Sequence, residues 1–285
     1  MNHAFAVEPA LDRALVSRLE KAHEWTVLNY IDCLQSRRPG VSAAALPIAG
    51  GQAFYAGPSP FSFAVGIGIN RAIAADELDT LEAFYAAHAV PCKLDVTPYT
   101  NASVSELITE REYRVADLTS VLSLTADGGS FGPRVGEVEL RWAGADDCDM
   151  WVDTIARNFY VSDPGEERRK NMECMFHAAH ALNVIATVKG ELAGVASMMV
   201  PHDGGMAVIY GSCTTPAFRR LGVHREMLRL RVQTARAAGC DSVLATALPG
   251  SDSERNLERC GFRCWYVKTT WAKELPASTS GVSPL

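Results

Sequence analysis

The run Arg219-Arg220-Leu221-Gly222-Val223-His224 puts two arginines, one glycine and the start of an amphipathic pattern within six residues. Ahead of it, Met206 to Thr214 reads as a strand that ends in Thr214-Thr215-Pro216. Behind it, Val223, Met227 and Leu230 form an apolar stripe at helical spacing, in a helix from about Leu221 to Ala238 that Gly239 closes. Arg225, Arg229 and Arg236 fall off that stripe. A helix start leaves several backbone N–H groups without partners and carries partial positive charge. A glycine lets a bulky anion approach that backbone, and flanking arginines add charge. The expected product is a cradle for phosphate. A lone glycine beside arginines would be an ordinary strand-to-helix turn. The full order of strand, proline, arginine, glycine and helix favours the cradle.

On these residues the chain resembles the GNAT acyltransferases. Their acetyl-CoA loop follows the pattern Arg/Gln-x-x-Gly-x-Gly/Ala after V-x-P, matched here by Thr214-Thr215-Pro216 and then Arg219-x-x-Gly222-x-His224. A distal run, Asn256-Leu257-Glu258-Arg259-Cys260-Gly261-Phe262, is similar to the family's Asn…Gly-Phe segment. The resemblance spans Val135 to Lys273. It implies a strand splayed from its neighbour, with pantetheine in the gap. Cys213, Thr214 and Thr215 would then contact pantetheine, and Arg219, Arg220, Leu221, Gly222, Val223 and His224 would hold the pyrophosphate. Asn256 would face the cofactor arm. The implied activity is acetyl transfer from acetyl-CoA, a co-substrate, to an amine of a small molecule or a protein, with no metal.

Two positions depart from the family pattern. His224 replaces the usual Gly or Ala; its backbone N–H remains, and its ring could add a donor to a phosphate. Leu257 stands where many members carry a Tyr as general acid toward the leaving thiolate. The strand Met206–Thr214 also lacks a carboxylate. Tyr210, Cys213, Glu254 and Tyr266 are near by motif position, but each reads as structural, so no general acid or base is assigned. Positioning and a backbone oxyanion donor would carry the reaction. Two other readings stay open: an acyl-CoA-binding protein without turnover, and transfer to a hydroxyl or thiol.

The elements around this segment read as an α/β (α+β) chain of 285 residues, a length that suits two domains. In the second half, Glu137–Trp142, Asn183–Val188, Leu192–Pro201, Met206–Thr214, Asp241–Leu248 and Phe262–Trp271 read as strands. Helices are expected at Asp146–Phe159, Glu166–Ala181 and Ser251–Cys260. In the first half, helices are expected at Leu11–Leu34, Asp76–His88 and Val104–Glu110, with strands at Phe61–Ile69, Lys93–Thr97 and Tyr113–Leu124. The order strand, helix, strand at Lys93–Tyr113 repeats that at Asp241–Phe262. The repeat is faint and suggests two copies of one α/β unit, with chance recurrence of a common order as the alternative; with the family resemblance it implies tandem GNAT-like domains, each a mixed, mostly antiparallel twisted sheet flanked by helices. The first would cover 1–130 and the second 134–274, with a flexible tail at 275–285. In the first copy, Gly66-x-Gly68 is half a dinucleotide fingerprint and reads instead as a bulge. Ile69-Asn70-Arg71-Ala72-Ile73 follows with no glycine, so this copy is not expected to hold acetyl-CoA.

Bulk properties narrow the partners. A net charge of −6 with no basic run argues against nucleic acid. Neither a signal peptide nor a bilayer-long apolar run is present, so a cytoplasmic protein without a membrane partner is expected. The 8 cysteines form no C-x-x-C pair and suit neither zinc nor a disulfide framework. His177 and His180 have a metal-ligand spacing on an expected helix, but no third ligand accompanies them. The acceptor and the oligomeric state have no signature in the sequence.

Overall fold

The computed structural model describes residues 10–57 and 61–275, so the expected flexible tail lies outside the described residues beyond Leu275. The first half runs α1 (Arg13–Arg37), β1 (Ala44–Ile48), β2 (Gly51–Tyr55), β3 (Ala64–Val65), α2 (Ala75–Ala87), β4 (Cys92–Val96), α3 (Ala102–Glu110) and β5 (Arg114–Thr125). The second runs β6 (Val138–Trp142), α4 (Cys148–Phe159), α5 (Glu166–His177), β7 (Ala181–Val188), β8 (Glu191–Met199), β9 (Gly205–Thr214), α6 (Val223–Ala237), β10 (Cys240–Ala247), α7 (Asp252–Arg259) and β11 (Arg263–Lys273).

All of these strands lie in one sheet, in the order β1-β2-β3-β4-β11-β5-β10-β9-β8-β7-β6. Two neighbouring pairs are parallel, β3 with β4 and β9 with β10, and the others are antiparallel. The two parallel pairs sit symmetrically about the β11–β5 pair at the centre. The last strand of each half is exchanged: β5 inserts between β10 and β11, and β11 inserts between β4 and β5. Neither half completes its sheet alone.

Side-chain alternation sorts the helices into two layers. On one face, Val16 and Leu19 of α1 pack with Val121, Val208, Leu244 and Tyr266, while Trp151 and Ile155 of α4 pack with Ile185 and Val195. On the other face, Leu228 and Val232 of α6 and Leu257 of α7 pack with Leu122, Ala207 and Ile209. Helices α2 and α3 cover Ala53, Ala64 and Leu94 on that side. Helix α1, capped by the Asp12 carboxylate on Leu15 N–H, therefore lies across both halves.

Most expected elements form within a few residues of their predicted bounds. Phe61–Ile69 differs, because only Ala64–Val65 pairs in the sheet. Gly66 and Gly68 take φ of 73° and 71°, which turns the chain out of the ladder. Helix α5 stops at His177, and His180 at φ 63° packs tilted against Trp25 and edge-on to His202, so the two histidines share no helix face.

Candidate functional site

Strands β9 and β10 pair in parallel only from Gly205–Cys240 to Ile209–Ala245. Beyond that point each follows its outer neighbour. Strand β9 stays with β8 through Tyr210–Ser197, Cys213–Val195 and Thr214–Gly194, with a bulge that leaves Gly211 and Ser212 unpaired. Strand β10 stays with β5 through Thr246–Val121 and Ala247–Ser120. A splayed gap opens between them, and the edge of β9 over Tyr210–Thr214 that faces it has no ladder partner in β10.

The gap leads directly to the start of α6. Thr215 N–H bonds the Ala193 carbonyl at 2.9 Å, and Pro216–Phe218 forms one 3-10 turn. Arg220 then takes φ 65° and Gly222 φ 79°. Gly222 is the N-cap of α6 and supplies no side-chain cap. The first backbone bond of the helix is Glu226 N–H to Gly222 O at 3.0 Å, which leaves the N–H groups of Val223, His224 and Arg225 ahead of it. Arg219, Arg220 and Leu221 are exposed beside them. A Cβ on Gly222 would stand 2.8 Å from Val135 Cγ2, so this position is closed to side chains by space as well as by φ. A cavity of about 320 Å³ adjoins the loop, with Arg220, Leu221, Gly222 and Arg225 in its wall.

Arg225 and Arg229 hold the connection between the halves against α6. Arg225 donates to Pro133 O at 3.2 Å, and Arg229 donates to Phe131 O at 2.9 Å and Gly132 O at 2.8 Å. Glu226 accepts from Val135 N–H at 3.3 Å and pairs with Arg229.

His224 brings no positive charge to the loop. Its Nδ1 is buried without a partner, and burial, with Arg231 nearby, pulls its pKa down to about 4. Arg231 itself is fully buried. Its Nε bonds Met227 O and its Nη1 bonds Ser197 O, both at 3.1 Å, while Nη2 has no partner. Burial pulls its pKa down to about 9. The Thr214 hydroxyl is likewise buried and unpartnered. These orphaned groups on the α6 side of the sheet suit a ligand with hydrogen-bonding amides, as pantetheine has, because buried polar groups otherwise carry a desolvation cost.

Other predicted contacts behave differently. Cys213 turns its thiol into the α4 core, and burial raises its pKa to about 11, which leaves only its backbone for a ligand. Asn256 is half-buried on α7, where its Oδ1 accepts from Arg259 at 3.3 Å. Leu257 is buried in the α6–α7 core, so its position has no access to a leaving thiolate. In the first half, the turn that follows β3 faces a carboxylate: a Cβ on Gly66 would collide with Glu24 Oε1. Burial raises the Glu24 pKa, and an acid there opposes a phosphate.

On the α1 side, a cavity of about 70 Å³ lies at the splay point. His23, Thr26 and Tyr30 of α1 form one wall, and Tyr210 and Thr246 form the strand side. Behind His23 sits a buried ionic cluster. Lys268 Nζ contacts Glu20 Oε2 at 2.9 Å, Asp95 Oδ2 at 2.8 Å and His23 Nδ1 at 3.1 Å. Burial alone would lower the lysine pKa, but the two carboxylates outweigh it and hold the ammonium above its usual range. Burial and then Lys268 push His23 well below the ordinary histidine value. Glu20, His23 and Asp95 have metal-like spacing, but the lysine ammonium supplies their cation. The sequence reading missed this cluster. Its signal was Glu20 and Glu24 on the same stripe as Val16, Leu19 and Val27, polar residues where a core-facing helix should be apolar.

A splayed parallel strand pair thus feeds an uncapped, glycine-led helix. Residues 148–262 match the sequence model of the acetyltransferase (GNAT) family, so this chain carries a GNAT-family domain in its second half. The first half is GNAT-like in fold. A GCN5-related N-acetyltransferase from Kribbella flavida superposes at TM-score 0.67 with 14% identity, over 93% of this chain and 97% of that one. A tandem GNAT protein from the clavulanic acid biosynthesis pathway gives 0.56 at 14% identity, over 90% and 98%. A GCN5-related N-acetyltransferase from Sphaerobacter thermophilus gives 0.56 at 11% identity, over 93% and 94%. No curated protein matches the chain in sequence.

Proposed function

We propose that the second half, residues 134–274, binds acetyl-CoA in the β9–β10 gap and transfers its acetyl group to an amine that approaches from the α1 side. The observation that carries this reading is the continuity of the gap with the N–H groups of Val223–Arg225 behind Gly222. The phosphates would lie on that helix start, with Arg219 and Arg220 adding charge. Pantetheine would run along Tyr210–Thr214, and a free N–H at the β9 bulge would meet the thioester oxygen. The first half, residues 1–130, would supply β5 as a wall of the gap and α1 as a wall of the acceptor cavity, without holding a second acetyl-CoA. The 8 cysteines are free, which suits a reducing cytoplasm, and no helix among the described residues is long and apolar enough to cross a membrane.

The test is isothermal titration of acetyl-CoA into the protein and into Gly222→Glu. Binding that the variant loses supports the site, since the added carboxylate meets both Val135 and the phosphates. Equal binding by both proteins would reject the loop. Thiol release with an acceptor present separates transfer from silent binding, and a comparison of amines with alcohols and thiols identifies the acceptor atom.

A further inference from the structure

The cavity at the splay point raises the question of which acceptors can reach a thioester there, given that the gap holds acyl-CoA as proposed above. No carboxylate among the described residues lines it. The nearest acids on that face, Glu20 and Asp95, are both engaged by Lys268. Glu24 turns one oxygen toward Gly66, and its other oxygen accepts from Lys21 at 2.6 Å. An ammonium that came in would lose water and gain no counter-charge, which disfavours the charged form.

His23 cannot serve as the missing base. An ammonium has only protons to give, so Lys268 must donate to Nδ1, and the ring proton then sits on Nε2. The lone pair that would take a proton is already used. Among the other groups on this side, Thr26 donates to Ala22 O at 2.9 Å, Tyr266 donates to Glu20 at 2.7 Å, and Tyr210 reaches Met175 O at 3.5 Å. Burial keeps the Tyr210 phenol protonated, with the Cys33 thiol, itself near Cys174, acting in the same direction.

We propose that the cavity admits its acceptor only as an uncharged nucleophile, with the His23 N–H as a hydrogen-bond donor it meets beside the hydroxyls of the cavity wall. The substrate class is then weakly basic amines, those that carry no proton at neutral pH. The step balances without an added base. The nitrogen lone pair attacks the thioester carbon, a C–N bond forms, and the C–S bond breaks with its electron pair on sulfur. The proton shed by nitrogen neutralises the thiolate, which gives an amide and free thiol. That balance also fits a core leucine at 257. A volume of about 70 Å³ equals roughly two waters' share of liquid, enough for the amino group and the atoms next to it.

The experiment measures thiol release from acetyl-CoA by the full chain with four small amines. O-methylhydroxylamine and 2,2,2-trifluoroethylamine are uncharged at neutral pH, whereas ethylamine and propylamine are charged. The uncharged pair should show kcat/KM larger by at least about tenfold at neutral pH. With ethylamine the rate should climb with the free-amine fraction and show no limb in the histidine range. His23→Phe should raise KM for O-methylhydroxylamine about tenfold, the loss of one hydrogen bond, and leave acetyl-CoA affinity unchanged. His23→Gln, which keeps an N–H, should restore it. A preference for the charged amines, or a histidine-range limb that His23→Phe removes, would overturn the proposal. So would bound acetyl-CoA with no turnover of any of the four. Failure to bind acetyl-CoA at all would instead reject the underlying site.

Discussion

Lys268→Met should be among the most damaging single changes outside the hydrophobic core. The ammonium and both its carboxylates are almost fully buried, with 2% of the Lys268 side chain exposed, 2% of Glu20 and 4% of Asp95. Removing one partner of a buried pair leaves charge without compensation and costs about 3–5 kcal/mol. Here two carboxylates are stranded, which places the change near the upper end. Unfolding entropy of about 2.1 cal/mol/K per residue gives roughly 0.6 kcal/mol/K for 285 residues. The melting temperature should therefore fall by about 5–8 °C in calorimetry. Adding Glu20→Gln and Asp95→Asn should recover much of that loss, because the stranded charges are then gone. Hydrogen bonds from Tyr266 to Glu20 and from Thr270 to Asp95, both at 2.7 Å, can still form to the neutral amides. The lysine pKa is raised in the folded protein. Its contribution is thus complete below the ordinary lysine range and is lost only as pH climbs through the folded value in strong alkali. A chelator should leave the melting temperature unchanged, since lysine fills the cation position. A shift of less than about 1 °C for Lys268→Met, or no recovery in the triple variant, would refute the energetic argument.

Two further outcomes follow from the same structure. His224 has a folded pKa of about 4 against an unfolded value near 6.5, so the unfolded chain takes up the proton first as pH falls. Stability should drop by on the order of 3 kcal/mol between those two values, and His224→Gln should flatten that part of a urea-denaturation series relative to the parent. The exchanged strands predict that residues 134–274 alone will not fold, because β10 and β11 lose β5 from between them. Proteolysis within 126–132 of the intact chain should yield two pieces that stay together in gel filtration and separate only in denaturant. Independent folding of the second half would show that its sheet closes without the exchange.

The glycine-led turn into α6 was legible in the sequence because its signals are local. Pro216, Arg219, Gly222 and the stripe of α6 all act within a few turns of chain, and Gly222 does adopt the left-handed backbone that its type allows. Gly66 and Gly68, expected to mark a bulge, instead turn the chain out of the ladder after Val65. What could not be read is non-local. Nothing within Arg114–Thr125 or Arg263–Lys273 specifies which neighbours those strands take, since alternation marks a buried face but not a partner. Glu20 and Lys268 are 248 positions apart, so the place of Glu20 on the apolar stripe of α1 marks a buried acid but not its partner.

The non-local part nevertheless bears on the site. Strand β10 keeps its course after Ala245 because its far edge stays paired with Val121 and Ser120 of β5, while its edge toward β9 is released. Strand β9 can leave because β8 holds it through Thr214. The two walls of the gap thus hang on ladders from different halves. Helix α1 spans both halves on one face, and Lys268 of β11, inserted into the first half, holds its histidine at the mouth of the gap. The geometry of the gap in the second half therefore depends on β5 and α1 of the first.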